Sequence, residues 1–392
     1  MIPELPDASS RMALPEPSAE ARAHSDAVVK RIRDEIDAGA GWLPFSRYME
    51  LALYAPGLGY YSAGARKLGR DGDFVTAPEI SPLFGRTLAR QVAQGLDAGL
   101  EQVLEVGAGS GALAATLLDE LERLEKLPER YLILELSADL RERSRDMLAA
   151  RVPHLLERVA WLASLPPGFS GVILGNEVLD AMPADVIRAR AGAIEQAGVT
   201  VDRGRLGWSW RPAPEALAKE ALALHLPEGY RTELQRAACA FVRSVGDILE
   251  RGVALFVDYG FPAREYYHPQ RGDGTLMCHY RHHAHEDPFF LPGLQDITTH
   301  VDFSAIARAA GDAGLDVCGY TSQAQFLINC GITEVLAQAP SDKAAAYLPL
   351  ASQVNRLTSP AEMGELFKVI ALCRGHAAPL LGFATGDRRH TL

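Results

Sequence analysis

Residues 103–121 read VLEVGAGSGALAATLLDEL. Val103–Val106 is a short, β-branched apolar run that predicts a strand. Ala112–Leu121 is rich in Ala and Leu at helical spacing, so Gly107, Gly109 and Gly111 fall on a strand-to-helix turn. Glycine there admits positive φ and lets a ligand approach bare backbone. A dinucleotide turn has the spacing G-x-G-x-x-G. Here the third glycine comes one residue early, and Ala112 stands at the dinucleotide position. Glu105, just before the turn, would repel a pyrophosphate. It suits a cationic amino-acid moiety, reached directly or through water. On this stretch alone an NAD or flavin turn, or an ordinary tight turn, stays open.

Outward from the turn, strands and helices alternate. YLILEL (131–136), VAWLAS (159–164), GVILGNE (171–177) and GVALFVDYG (252–260) predict four more strands, and 138–151 predicts a helix. Such βαβ alternation implies a doubly wound parallel α/β sheet, whose strands' C-terminal ends share one ligand-binding edge. Those ends carry Glu105, Glu135, Asn176–Glu177 and Asp258–Tyr259. Upstream, helices are expected over 24–38, 46–54 and 82–96. Between the last two lies a long Gly- and Tyr-rich loop, a kind of segment that is usually functional. Two excursions interrupt the alternation. Residues 185–232 read as a β-hairpin or small antiparallel sheet around the turn at Asp202–Gly204, and 262–300 is rich in His, Pro and Gly. A helix is expected over 233–250. The domain reading is a disordered lead (1–24), a helical and Gly-rich segment (25–86), and the main domain (87–392).

The chain has 392 residues, 48% of them apolar, enough for a substantial core. A net charge of −11 argues against a sequence-independent grip on nucleic acid, which needs phosphate-neutralising Lys and Arg. The five cysteines form no C-x-x-C pair and are odd in number, which favours a reducing compartment over a disulfide framework. No apolar run approaches the ~18 residues of a membrane span. The first residues lack the pattern of a signal or transit peptide, and bacterial cytoplasm is the expected location.

Three constellations could carry chemistry. Glu135 ends the second strand, where an acid accepts hydrogen bonds from both ribose hydroxyls of a nucleoside; Leu136 follows it. GNEVLDAMP (175–183) places Glu177 and Asp180 three apart. On a helical turn they would share a face and could hold a guanidinium by paired hydrogen bonds. The alternative is a carboxylate pair satisfying backbone N–H groups. The segment is not N-P-P-Y, the tetrapeptide of enzymes that methylate base or Gln amide nitrogens. His279, His282, His283 and His285 fit no zinc spacing, so no metal is expected. His300 stands before Asp302, which reads as a helix N-cap.

The turn E-x-G-x-G-x-G resembles the first motif of class I S-adenosylmethionine (SAM) methyltransferases. Further motifs make the resemblance more specific: YYS, GDFVTAPEIS with a following Phe-Gly, LEVGAGSG, LELS, GNEVLDAMP, VDYG, DPFFLPGLQDITTHVDFS and QAQFLINCGI. In order and spacing they are similar to the MidA-type methyltransferases, relatives of the mitochondrial complex I assembly factor that methylates arginine. The resemblance spans about residues 28–370. It implies a class I, Rossmann-like, seven-stranded fold with an N-terminal helical and loop extension and an inserted β-rich segment. It also implies SAM as cofactor, without metal, and a protein arginine as acceptor, with symmetric dimethylation of a core complex I subunit as the family precedent. Residue by residue it assigns Glu105, Gly107, Gly109, Gly111, Glu135 and Leu136 to the cofactor. Gly72, Asp73, Phe74, Thr76, Ala77, Pro78 and Glu79 would close over it, with Asn176 beside them. Glu177, Asp180 and His300 would serve methyl transfer, and Asp258 and Tyr259 the substrate. Many arginine methyltransferases carry a double-Glu loop; this sequence offers Glu177 and Asp180 instead. Both excursions suit a protein substrate and are compatible with a homodimer.

Overall fold

The computed structural model describes residues 14–63, 76–340, 343–376 and 378–392. Its centre is a seven-stranded sheet: β1 (Gln102–Val106), β2 (Arg130–Leu134), β3 (Val159–Leu162), β4 (Phe169–Asn176), β5 (Leu249–Phe261), β6 (Asp316–Ser322) and β7 (Phe367–Arg374). The spatial order is β3-β2-β1-β4-β5-β7-β6. The first five are parallel; β7 pairs antiparallel with both β5 and β6. The short strand Val301–Asp302 adds to the end of β5.

Both faces of the sheet are covered, and alternation along the strands decides which residue goes where. Val253, Leu255 and Val257 of β5 join the core with α4 (Pro82–Asp97) and α5 (Ala112–Arg123). Ala254 and Phe256 point the other way, against helices Arg236–Ile248 and Phe303–Asp312. The second of these helices begins as expected, with the Asp302 side chain accepting the Ala305 N–H at 3.0 Å.

The first excursion builds more than a hairpin. Strands Asp185–Arg190, Ala193–Asp202, Arg205–Pro212 and Arg231–Leu234 form an antiparallel sheet, completed by Leu43–Pro44 from the N-terminal segment. Its last strand overrides the helix expected from Glu233. That glutamate is buried and accepts hydrogen bonds from the Thr275 N–H and hydroxyl, so the helix starts only at Arg236. Against this sheet packs α2 (Phe45–Tyr54), which buries Phe45, Tyr48 and Met49. The second excursion forms a three-stranded sheet of Met277–Tyr280, His283–His285 and Asp296–Thr298.

Helix α1 runs from Ala19 to Ala38, starting inside the stretch assigned to the lead, because the Ser18 hydroxyl accepts the Ala21 N–H.

Candidate active site

A cavity of about 930 Å³ opens along the C-terminal ends of β1, β2 and β4. Gly107 and Gly109 line it at φ +67° and +55°. The Gly107 N–H donates to the Leu134 carbonyl at 2.9 Å, extending the β1–β2 ladder into the turn. The first residues of α5, Ala112 and Leu113, also line the cavity and bring the positive end of that helix to it. Gly111 does not line it. At φ +81°, a Cβ there would sit 2.8 Å from the Ser144 Cα on α6 (Ala138–Arg151). Its lack of a side chain lets two helices meet, which gives this glycine a packing role beside the expected cofactor role.

Two buried acids guard the turn. Glu105 accepts the Tyr131 hydroxyl at 2.5 Å. Burial raises its pKa to about 7, with Tyr131 opposing and Glu135 adding to the rise. Glu135 accepts the Ser137 N–H at 2.9 Å and the Gly109 N–H at 3.2 Å, while burial raises its pKa. Each of its oxygens keeps a lone pair for a further donor. Leu136, 71% exposed, lines the cavity next to it.

The end of β4 differs from the expected helical turn. Glu177 leaves the strand at φ +54°, and 177–183 is an irregular turn. Its N–H donates to the Val257 carbonyl at 2.8 Å. Its Oε1 accepts the Asn176 side-chain amide at 3.0 Å and the Ala77 N–H at 3.4 Å. Burial and then Asp180 raise the Glu177 pKa to about 8. Glu177 and Asn176 line the cavity; Asp180 does not. The Asp180 carboxyl is buried, its pKa raised to about 6 by that burial, with the Tyr259 hydroxyl opposing the rise.

Asp258 and Tyr259 were expected at the substrate, and neither lines the cavity. Strand β5 runs on past them to Phe261, so they sit within the ladder rather than at its open end. Asp258 spends its carboxylate on the backbone N–H groups of Val178, Leu179 and Asp180. His300 is not part of the lining either. Its ring packs edge-on against Tyr259 at 5.2 Å and near Phe261 at 5.3 Å. Burial, with Arg271 and Lys368 adding to the effect, lowers its pKa to about 4.

Thr76 and Pro78 line the cavity, whereas Gly72, Asp73 and Phe74 lie outside the described residues. Glu79 of the same expected segment lines it too, whereas the lining residues Tyr54 and Tyr61 escaped the sequence. Glu79 accepts the Ser110 hydroxyl at 2.9 Å. Tyr54 and Tyr61 stack at 5.4 Å and 23° at the far end. Their hydroxyls donate to the Ala181 carbonyl and to Asp296, both at 2.9 Å. The local pattern around these tyrosines reads as packing; only the tertiary fold brings α2 over β4. The 262–300 excursion contributes no residue to the lining, and 185–232 contributes Asp185 alone. Among the described residues, no group of three or more His, Cys, Asp or Glu is placed to hold a metal. No described helix is long and apolar enough to cross a membrane.

Residues 87–321 match a family model described as an S-adenosyl-L-methionine-dependent methyltransferase. The chain belongs to that family. A Burkholderia thailandensis protein, crystallised with S-adenosylhomocysteine, is 54% identical to this methyltransferase. The two align with a TM-score of 0.94 over 97% of this chain and 100% of that one. The mitochondrial protein arginine methyltransferase NDUFAF7 homolog of Drosophila melanogaster is 28% identical over 94% of this chain and 91% of its own length. Its Homo sapiens counterpart is 28% identical over 85% and 80%.

The fold is thus the class I methyltransferase fold, and the cofactor is SAM. The residues present fit it. Backbone is bare at Gly107 and Gly109, and the acids Glu105 and Glu135 line the cavity where they would meet an ammonium and a ribose diol. Buried acceptor atoms lacking any partner, Glu79 Oε2 and Asn176 Oδ1, belong to residues of the lining.

Proposed function

We propose that this methyltransferase modifies an arginine side chain of a protein, with a respiratory complex I subunit as the kind of substrate that the family relationship suggests. One observation carries the reading. At the acceptor end of the cavity, the hydroxyls that could donate are already donating elsewhere. Tyr54 donates to Ala181 and Tyr61 to Asp296. Ser46 donates to Asp185 at 2.8 Å, and the Asn176 amide to Glu177. Arg47 is held by Glu35 and Glu50. What the lining mostly offers is acceptors: the Glu177 carboxyl, the tyrosine oxygens and Asn176 Oδ1, against the few N–H groups left on Arg47 and Asn176. A guanidinium has five donors and no acceptor, so it matches. A glutamine amide brings only two donors to those acceptors and a carbonyl that needs a donor in return. The names of the NDUFAF7 relatives point the same way.

SAM, when bound, supplies an electrophilic methyl group on a sulfonium. Glu177 orients one guanidinium nitrogen toward it by hydrogen bonds and fixes the near-attack geometry. The new bond is N–CH₃, the broken bond is S–CH₃, and one proton leaves the nitrogen late. A guanidinium paired with Glu177 favours the ionised carboxyl, which can take that proton as the cation's charge is lost. The symmetric dimethyl product follows if the monomethyl arginine turns within the site and presents its second terminal nitrogen. The test uses isotopically labelled SAM, the purified enzyme and a lysate of cells that lack it, with fragmentation mass spectrometry to locate the label. Label on arginine is expected. Label on lysine, glutamine or a small metabolite, with none on arginine, overturns the reading.

A further inference from the structure

Asp258 is 1% exposed and does not line the active-site cavity, yet both its carboxylate oxygens accept hydrogen bonds. Oδ2 accepts three successive backbone N–H groups: Val178 at 3.1 Å, Leu179 at 2.8 Å and Asp180 at 3.4 Å. Oδ1 accepts the Tyr259 N–H at 3.1 Å. Successive amides converging on one anion form a nest. Here the anion is the chain's own, supplied from the neighbouring strand β5.

The nest begins directly after Glu177. A left-handed φ on a residue with a Cβ persists only where its surroundings over-determine it. Two anchors do so here. The Glu177 N–H is tied to the Val257 carbonyl at 2.8 Å, and the next three N–H groups are tied to Asp258. Val257 and Asp258 are consecutive, so one dipeptide of β5 fixes the backbone on both sides of Glu177. We propose that Asp258 is the positioning residue that aims the Glu177 carboxylate into the cavity, acting through the backbone of residues 178–180. This rests on the reading of Glu177 as the acceptor-holding group. It also explains why the acid of VDYG stands in the sequence without lining the cavity.

The arrangement places three acids close together. Asp180 and Glu177 both raise the Asp258 pKa on top of burial. What the nest requires at that position is an oxygen acceptor, and a charged one binds it more strongly than a neutral one.

The experiment measures amide hydrogen exchange at residues 178–180 in the full chain saturated with S-adenosylhomocysteine, and methyl transfer from labelled SAM to the lysate. In Asp258→Ala, exchange should speed up by roughly tenfold or more, the scale of a lost charge-assisted hydrogen bond. Transfer should fall, while affinity for S-adenosylhomocysteine stays within a few-fold. Asp258→Asn keeps an oxygen for the nest, so protection and transfer should recover toward the parent values. Protection of 178–180 in Asp258→Ala equal to that of the parent overturns the proposal. So does an Asp258→Asn protein that keeps protection yet loses transfer, since that marks direct contact with the acceptor. If Asp258→Ala does not fold, Asp258→Asn decides by its own pair of readouts. If the parent transfers no label to arginine, the functional reading fails, while the exchange data still decide the clamp.

Discussion

Glu177 stores two costs in one residue: a backbone at φ +54° and a carboxyl whose pKa is raised to about 8. Both make sense if the group must face a cation inside a cavity. The raised pKa has a consequence for stability. Folded Glu177 keeps a proton that the unfolded chain releases near the ordinary glutamate range. The folded state therefore binds more protons between about pH 4.5 and 8, and stability falls as pH rises through that window. Glu177→Gln removes the titration, and its carbonyl can still accept from Asn176 and Ala77. The substitution should therefore stabilise the protein increasingly from about pH 5 to pH 8, by on the order of a few kcal/mol at the top of the range. Thermal melts of both proteins across that range check it; a constant difference would contradict the assigned environment. That Glu177 stands at the edge of the sheet where the cavity opens was legible, because it follows an apolar strand. Its conformation was not, since nothing in GNEVLDAMP announces positive φ at a residue other than glycine. The expected helical face shared with Asp180 therefore gives way to a turn in which Asp180 lies behind.

The strand–turn–helix element at 102–123 shows how one motif divides its labour. Gly107 and Gly109 open the backbone to the cavity, while Gly111 faces α6. Sequence spacing groups the three because each has the same residue type, and only the helix contact separates them. Gly111→Ala should cost about 2–5 kcal/mol, combining a Cβ pressed on the Ser144 backbone with left-handed strain. Affinity of the folded protein for S-adenosylhomocysteine should stay within a few-fold. Denaturant unfolding and calorimetry check the pair of outcomes; lost affinity with unchanged stability would make Gly111 a cofactor residue rather than a packing one. The other strand ends follow the same lesson. Glu105 and Glu135 reach the cavity because β1 and β2 stop there. Asp258 does not, because β5 continues to Phe261 and the polar pair stays inside the ladder. Strand periodicity gives the direction of a chain but not the place where its neighbours end.

At the scale of the whole molecule, the cavity lies between the sheet edge and α2, with Tyr54 and Tyr61 closing its far end. The excursions stand elsewhere: 185–232 forms a separate sheet on which α2 rests, and 262–300 supplies Asp296 as partner of Tyr61. This is a tertiary arrangement without a local signal, since Tyr54 and the Ala181 carbonyl it contacts are 127 residues apart. The part of the cavity at the glycine turn is readable as motif; the part proposed for the acceptor is assembled by docking the N-terminal helices over β4. The boundary between the two parts is Glu177. The most direct measurement is a pair of assays on Glu177→Gln: calorimetric affinity for S-adenosylhomocysteine, and the rate of labelled methyl transfer to arginine in the lysate. Affinity within a few-fold of the parent, with transfer down by roughly 10²-fold, is the predicted result, the scale of losing one preorganised electrostatic contact. Collapse of S-adenosylhomocysteine binding, or transfer at the parent rate, would contradict it.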